Sequence, residues 1–272
     1  MVIRRAIALG ATAGAVAVLF GAALVGPAAA AAGGSAGQAL PAMNVALTGT
    51  HGVAVSGSTV SGAVTIASTY SGHGHGLLGI IRLDPGVTIQ QAAGAVNSAH
   101  GNLDALTPYA TLLVSTGAPS TVQTVFTPGS YVALNITGNG QPAFATFTVT
   151  QAAAPATLPR ARTTQSAIEF AFRGPSVLHD GTIVRARNDG YLVHMITLIG
   201  ARNRATGKAI VSLLRAGHDR AAQRLASHSS TDLLGPASPG AMQQQVLQVK
   251  PGYYVEACFM DTGDGREHTR LG

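Results

Sequence analysis

The sequence predicts a mainly β protein made of two β-sandwich units in tandem, each with a short helical insertion, behind an N-terminal export signal. Two observations support this prediction. A glycine-to-histidine interval at 62–75 recurs at 181–194, and β-forming residues flank both histidines. A Pro-Gly pair followed by a strand-like run then recurs late in each half, at 128–135 and at 251–258. The chain is therefore predicted to contain the same arrangement of strands twice.

The first 32 residues are predicted to be a signal peptide. A basic start at 1–5 is followed by an apolar run at 6–25 and by small residues at 27–32, which offer Ala-x-Ala cleavage sites. The mature protein is therefore expected to be secreted or held in the cell envelope, and the Ala, Gly and Arg bias is typical of a GC-rich bacterium. The apolar run is also long enough to span a bilayer, so an uncleaved anchor is the alternative.

About 240 residues remain after the signal, enough for two domains of ordinary size. We predict a first domain at 43–150, a linker at 151–165 and a second domain at 166–272. The formal net charge of +6 falls to +4 when the two arginines of the signal are removed. The other arginines are dispersed among acidic residues, so we expect no nucleic-acid partner and no membrane contact beyond the signal segment.

Each unit is predicted to continue from its histidine into a strand, a helix and the Pro-Gly strand. The apolar strands after the histidines cover 77–83 and 195–199. A helix is then expected to open at Thr88 in the first unit and at Thr206 in the second, because threonine is a reasonable N-cap. An apolar stripe of helical period follows in the second unit, and the residues at 217–219 interrupt it.

The two units differ at the positions of the candidate metal ligands. Asn135 of the first Pro-Gly strand stands where Cys258 stands in the second, and Ala143 takes the place of His268. The first unit keeps only its upstream histidine, His75. It is therefore predicted to lack a metal site.

The first unit also ends with an alternating, strand-like segment at 143–150, which has no counterpart after the second Pro-Gly strand. A sandwich without that strand would expose an open edge and a core face. We therefore expect the second domain to be C-terminally incomplete, as part of a longer natural chain.

Cys258 is the only cysteine, and it ends a strand that is followed by a loop with His268. One cysteine in an exported chain cannot form an internal disulfide. Its thiol is therefore a metal ligand, half of an intermolecular disulfide, or a buried small hydrophobe. Thiolate with imidazole is a donor set that copper prefers, so copper is the cofactor to test for.

The second unit resembles a cupredoxin, the blue-copper fold, from about residue 168 to residue 272. The resemblance lies in the Gly-Thr-Ile-Val-Arg-Ala-Arg-Asn strand, the histidine that enters the next strand, the helical excursion and the Pro-Gly-Tyr-Tyr-Val-Glu-Ala-Cys strand. It implies Greek-key topology and assigns His194, Cys258 and His268 as the ligands of a copper ion. Electron transfer or copper handling is the function implied, with a redox or copper-delivery protein as the partner.

The chain departs from the cupredoxin pattern in two ways. No methionine follows His268, where the axial ligand would stand. Nine residues separate Cys258 from His268, more than in the usual cupredoxin loop, which predicts a less rigidly held imidazole. Proteins of this fold often lose the metal, so a metal-free β-sandwich with a binding or structural role in the envelope is the alternative function.

The remaining patterns indicate little further chemistry. His73 and His75 could chelate a metal from one strand face, but the glycines around them favour a loop. The sequence has no His-Glu-x-x-His helix, and its acidic residues are few and dispersed. We therefore expect a binding or redox module and not an enzyme.

Overall fold

The structure, a computed structural model, describes residues 39–138, 141–227 and 230–272. The predicted signal peptide at 1–32 lies outside the described residues. Within them the protein is mainly β, as predicted, and its strands form several sheets. No helix in this part of the chain is long and apolar enough to cross a membrane.

The first half contains strands β1 to β8, helix α1 and a 3-10 turn. In chain order these are β1 (Ala42–Thr48), β2 (Gly52–Gly57), β3 (Gly62–Ser71), β4 (Gly76–Leu83), α1 (Ile89–Ser98), the 3-10 turn Leu103–Leu106, β5 (Ala110–Ala118), β6 (Ser120–Phe126), β7 (Gly129–Asn135) and β8 (Ala143–Val149). Residues along β1 alternate between exposed and buried, because one face of the strand covers a core.

The second half contains strands β9 to β15, two helices and a second 3-10 turn. In chain order these are β9 (Thr163–Ile168), β10 (Ala171–Arg173), β11 (Ile183–Asn188), β12 (His194–Ala201), α2 (Arg204–Arg215), α3 (Asp219–Leu225), β13 (Thr231–Ala237), β14 (Met242–Val246), β15 (Tyr253–Ala257) and the 3-10 turn His268–Arg270. In both halves the α-helices lie between the fourth and the fifth strand.

The helices begin where polar side chains cap them. Thr88 caps α1 as predicted, since its hydroxyl accepts from the N–H of Gln91 at 3.3 Å. Helix α2 begins before the predicted Thr206, because Asn203 is its N-cap and accepts from the N–H of Thr206 at 2.9 Å. The predicted interruption at 217–219 is confirmed, because α2 ends and α3 begins there.

One sheet runs through both halves. Its eight strands lie in the order β10-β9-β11-β14-β6-β3-β1-β2, while β5-β4-β7-β8 and β13-β12-β15 form smaller sheets. The halves meet where Gln244 of β14 pairs with Gln123 of β6, and their side-chain amides are hydrogen-bonded at 2.9 Å. This corrects the expectation of two separate Greek-key sandwiches, because the halves share a continuous sheet.

The two halves nevertheless pair their strands in the same way. Strand β1 runs antiparallel to β2 and parallel to β3, and β9 does the same with β10 and β11. Strand β4 lies between β5 and β7, and β12 lies between β13 and β15. The ends of β7 and β15 are therefore equivalent places in the fold.

The segment between the halves is hydrogen-bonded to both of them. The carbonyl of Ala156 accepts from the N–H of Ala63 in β3 at 2.8 Å. The carbonyl of Pro159 accepts from the side-chain amide of Gln244 in β14 at 3.1 Å. Strand β9 also takes up the last three residues of the predicted linker at 151–165. The domain limits on either side of it stay predictions.

Helix α2 is fixed beside the end of β15. Ile210 and Leu214 of the helix are buried in an apolar cluster with Val255 and Ala257 of the strand. This packing places the C-terminal part of α2 next to Cys258, the residue that follows the strand.

Candidate metal centre

His194, Cys258 and His268 lie together at one end of the second half. Sγ of Cys258 is 3.6 Å from Nδ1 of His194 and 3.3 Å from Nδ1 of His268, and the two Nδ1 atoms are 3.1 Å apart. None of the three residues is more than 6% exposed. The structure thus brings all three predicted site residues together, while their role as metal ligands stays a prediction.

The triangle formed by these donor atoms has the size of a metal site. From its three edges, the point equidistant from the atoms lies about 1.9 Å from each. Metal–nitrogen bonds of about 2.0–2.1 Å and metal–sulfur bonds of about 2.3 Å are typical of tightly bound ions. Two ring nitrogens and a sulfur that face each other this closely need a proton or a cation between them. The three residues therefore fit a bound metal ion.

The cluster offers three donor residues to an ion. Among the described residues, no fourth histidine, cysteine or carboxylate belongs to it. Structural zinc takes four protein ligands in a tetrahedron, whereas blue copper takes two histidines and one cysteine in a plane.

Two backbone N–H groups point at the sulfur of Cys258. The N–H of Met195 donates to Sγ at 3.3 Å, and the N–H of Met260 also favours the thiolate. Burial outweighs both and raises the pKa of the thiol to about 11. Without a metal the thiol is therefore protonated at neutral pH, so a metal ion must displace its proton.

Both imidazoles are neutral at neutral pH. Burial is the main cause that lowers the pKa of His194 to about 4; His268 acts in the same direction and Glu169 opposes it. Burial also lowers the pKa of His268, against the carboxylates of Asp104, Asp261 and Glu169. Neutral imidazole is the form that binds metals.

The loop between β11 and β12 presses against the ring of His194. Fully buried Asn188 orders this loop, because its amide donates to the carbonyl of Leu192 at 2.7 Å and its oxygen accepts from the N–H of Gly190 at 2.9 Å. A Cβ at Gly190 would lie 2.9 Å from the ring of His194, so only glycine allows this approach.

Glu169, in the turn between β9 and β10, faces the far side of the same ring. Its Oε1 is 3.8 Å from Nε2 of His194 and accepts from the N–H of Tyr191. Metal-binding histidines commonly present the ring nitrogen that does not bind the metal to a carboxylate, which orients the ring and fixes its tautomer. Glu169 lies on that side of His194, at a distance longer than a hydrogen bond.

The loop that carries His268 is closed on itself. The N–H of His268 donates to the carbonyl of Met260 at 2.8 Å, and Thr262 N–H donates to the carbonyl of Arg266 at the same distance. The ring of His268 meets Phe170 edge-on, with 5.2 Å between centroids. The prediction of a loosely held imidazole is therefore wrong, because the long loop folds into a hydrogen-bonded hairpin that buries its histidine.

Two residues of the first half hold this site from both sides. Asp104 Oδ1 accepts from the N–H of Val193, next to His194, at 2.6 Å. The amide of Asn102 donates to the carbonyls of Thr262 at 2.9 Å and Asp261 at 3.3 Å, in the loop before His268. Sequence reasoning missed both residues, since no sequence pattern links them to partners 89 to 160 residues away.

The equivalent end of the first half shows a one-residue error in the predicted alignment. Leu134, which precedes Asn135, pairs with Gly79 in the first half, and Ala257, which precedes Cys258, pairs with Thr197 in the second. Gly76 and His194 each lie three residues before these partners. The counterpart of His194 is therefore Gly76 and not His75, which is exposed in the turn before β4.

Asn135, at the position equivalent to Cys258, makes three hydrogen bonds within the first half. Its amide donates to the carbonyls of Gly49 and Gly52 at 3.0 and 2.9 Å, and its oxygen accepts from the N–H of Thr137 at 3.1 Å. Ala143, predicted to replace His268, opens β8 and pairs with Asn135.

A pocket in the second half adjoins the donor cluster. Its lining includes Phe170 and Phe172, Leu214 and Arg215 of α2, and all three donor residues. Arg215 is exposed. The pocket thus connects the buried donors with the surface beside α2.

Comparisons with known proteins assign no family to this chain. No protein-family model matches the chain, and no curated protein matches it. Among solved structures, a blue copper oxidase from Nitrosomonas europaea is similar over 82% of each chain, with 13% identical residues and a TM-score of 0.19. A similarity of this size is too low to support a conclusion about the chain.

Proposed function

We propose that the protein is a cupredoxin-like protein that holds one copper ion through Sγ of Cys258 and the Nδ1 atoms of His194 and His268. One observation supports this most: the three donor atoms lie 3.1 to 3.6 Å apart in a buried cluster. Copper in such a site supplies a one-electron couple. We infer electron transfer or copper handling as the function, without catalysis by the protein.

The protein's own residues prepare this site for a metal. Burial keeps both imidazoles deprotonated and excludes water from the donors. The N–H of Met195 stabilises the thiolate once its proton has left. The carboxylate of Glu169 lies 3.8 Å from Nε2 of His194, while Nδ1 of the same ring is directed at the cluster. These contacts fix the donor atoms before the ion arrives, which lowers the cost of binding.

The setting we propose is outside the cytoplasm of a bacterium, in the cell envelope or secreted. The basic, apolar and small-residue pattern of 1–32 supports export. A buried ion there would be exchanged, or would exchange electrons, with a partner protein.

A metal-free binding or structural protein is the second candidate. The first half supports it, because Asn135 closes the equivalent end of the fold with hydrogen bonds alone. In this alternative the cluster is stabilised by a hydrogen bond between neutral imidazoles and a buried thiol.

Titration of the chelator-treated protein with Cu(II) distinguishes the two candidates. We expect one equivalent of copper to bind and an intense thiolate-to-copper charge-transfer band to appear in the visible spectrum. Cys258→Ser should abolish the band and weaken binding by more than the 10–100-fold that outer contacts of a metal site contribute.

His73→Ala/His75→Ala is the matched control, since it removes two exposed imidazoles and should leave both readouts unchanged. Copper binding that survives Cys258→Ser, or no stoichiometric binding to the wild-type protein, would contradict the copper proposal. One equivalent of tightly bound Zn(II) without comparable copper binding would assign the site to zinc instead.

A further inference from the structure

The positive charge of the protein is concentrated in one segment. Residues 202–230, between β12 and β13, carry six basic side chains and one acidic side chain, Asp219. The basic residues, all exposed, are Arg202, Arg204, Lys208, Arg215, Arg220 and Arg224. The other described residues carry nine basic and ten acidic side chains. The segment therefore has a formal charge of +5 and the rest −1, unlike the even mixture predicted from the sequence.

The basic side chains of α2 share one face of the helix. Arg204, Lys208 and Arg215 project within about 40° of one another at 100° per residue. Ile210 and Leu214 occupy the face that is buried against the sheet. Among the described residues, no ion pair includes a basic side chain of this segment. The charge is therefore free to attract an external partner.

This basic face adjoins the candidate metal centre. Arg215 lines the same pocket as Cys258 and His268. In the first half, the equivalent residues between β4 and β5 include Asp84 and Asp104 but no lysine or arginine. The basic segment thus occurs only in the half that has the donor cluster, so it is not a general requirement of this fold.

We propose that the exposed basic face of residues 202–224 is a docking surface for an acidic protein. The inference relies on the proposed function to explain what is exchanged, because a buried ion needs a partner brought close to its pocket. An anionic membrane fits less well, since the apolar face of α2 is already buried in the core and cannot insert into lipid. Opposite charges would steer the partner to the pocket and speed its association.

Binding of a fluorescein-labelled octaglutamate peptide to the metal-free protein tests this surface. Fluorescence anisotropy would be measured at low and at high ionic strength, roughly 10 and 200 mM, so that screening differs strongly. The variant R204E/K208E/R215E is compared with R160E/R162E/K250E, which changes the same charge at three exposed residues outside the segment. Circular dichroism would show that both variants are folded.

At low ionic strength we expect the first variant to bind at least tenfold more weakly than wild type and the control to lose less than threefold. High ionic strength should remove this difference. Equal losses in both variants would overturn the docking surface, because net charge alone would explain binding. The same proteins would also be mixed with vesicles of phosphatidylcholine and phosphatidylglycerol. Vesicle binding that is tighter than peptide binding, and that the first variant weakens in the same way, would assign the face to a membrane instead.

Copper titration of the same samples keeps the two proposals separate. A protein that binds the peptide through this face but takes up no copper retains the docking surface and loses the proposed function. A protein that binds copper but shows no dependence on the basic face loses only the docking surface.

Discussion

The ends of β7 and β15 occupy the same place in the two halves, yet one ends in an amide and the other in a thiol. Asn135 donates to two carbonyls of the turn between β1 and β2, so that end is satisfied by internal hydrogen bonds. Cys258 instead faces the ring nitrogens of His194 and His268. The difference shows that one fold can end this strand with an amide that closes a turn or with a thiol that faces two imidazoles.

The largest effect that should separate the two ends is the response to acid. In the metal-free protein, burial lowers the pKa of His194 from an ordinary value near 6.5 to about 4. The unfolded chain therefore takes up a proton there as the pH falls below 6.5, while the folded protein does not until about 4. The free energy of unfolding should fall by about 3 kcal/mol across this window. Gly76, at the equivalent place, contributes nothing.

Urea unfolding of wild type and His194→Asn between about pH 7 and pH 4 measures this difference. The variant should lose less stability on acidification, because its side chain does not titrate. His268 and Glu169, which face the ring of His194, remain in both proteins, and exposed His75→Asn serves as the control. Parallel pH dependence in wild type and His194→Asn would contradict the assignment.

The second effect concerns stability without a metal. Asn135→Ala leaves the carbonyls of Gly49 and Gly52 without their amide donor, and we expect a loss of about 2 kcal/mol. Cys258→Ala removes a small side chain that accepts weak hydrogen bonds from two backbone N–H groups, and we expect a loss of about 1 kcal/mol. Denaturant midpoints of the chelator-treated proteins would show the order. A larger loss for Cys258→Ala would favour a purely structural cysteine.

Local patterns were sufficient to indicate which three side chains the fold brings together. A strand that ends in cysteine, a histidine on the next loop and a repeated glycine-to-histidine interval identified Cys258, His268 and His194. The interval does not determine the register, so it aligns His75, and not Gly76, with His194. Register depends on which residues face each other across a ladder, and a one-residue shift changes the face on which every side chain lies.

Contacts between the halves could not be predicted from local patterns. The shared sheet joins the halves at Gln123 and Gln244, and glutamine has no strong strand preference that would reveal an interface. The start of α2 also differs from the predicted one. Asn203 and Thr206 are both acceptable N-caps, and only the loop geometry selects between them.

The smallest predicted effect tests whether the half without donors helps to hold the metal. Asn102→Ala removes the amide that donates to Asp261 and Thr262, and so loosens the loop that carries His268. Copper affinity should fall about tenfold, the lower end of what outer contacts contribute. Asn102 also accepts from the N–H of Asp104 at 2.8 Å, so the same change weakens the support of Val193 beside His194. The band intensity should change little, because the two backbone N–H groups at the sulfur of Cys258 are retained.

Competitive titration with a copper chelator measures this change, with Asn97→Ala as the matched control. Asn97 is an exposed asparagine of the same half, so its removal should leave copper affinity unchanged. Equal affinities of Asn102→Ala and Asn97→Ala would limit the site to the second half. A loss of copper affinity in Asn102→Ala alone would show that the first half supports the metal site by holding the loop that carries His268.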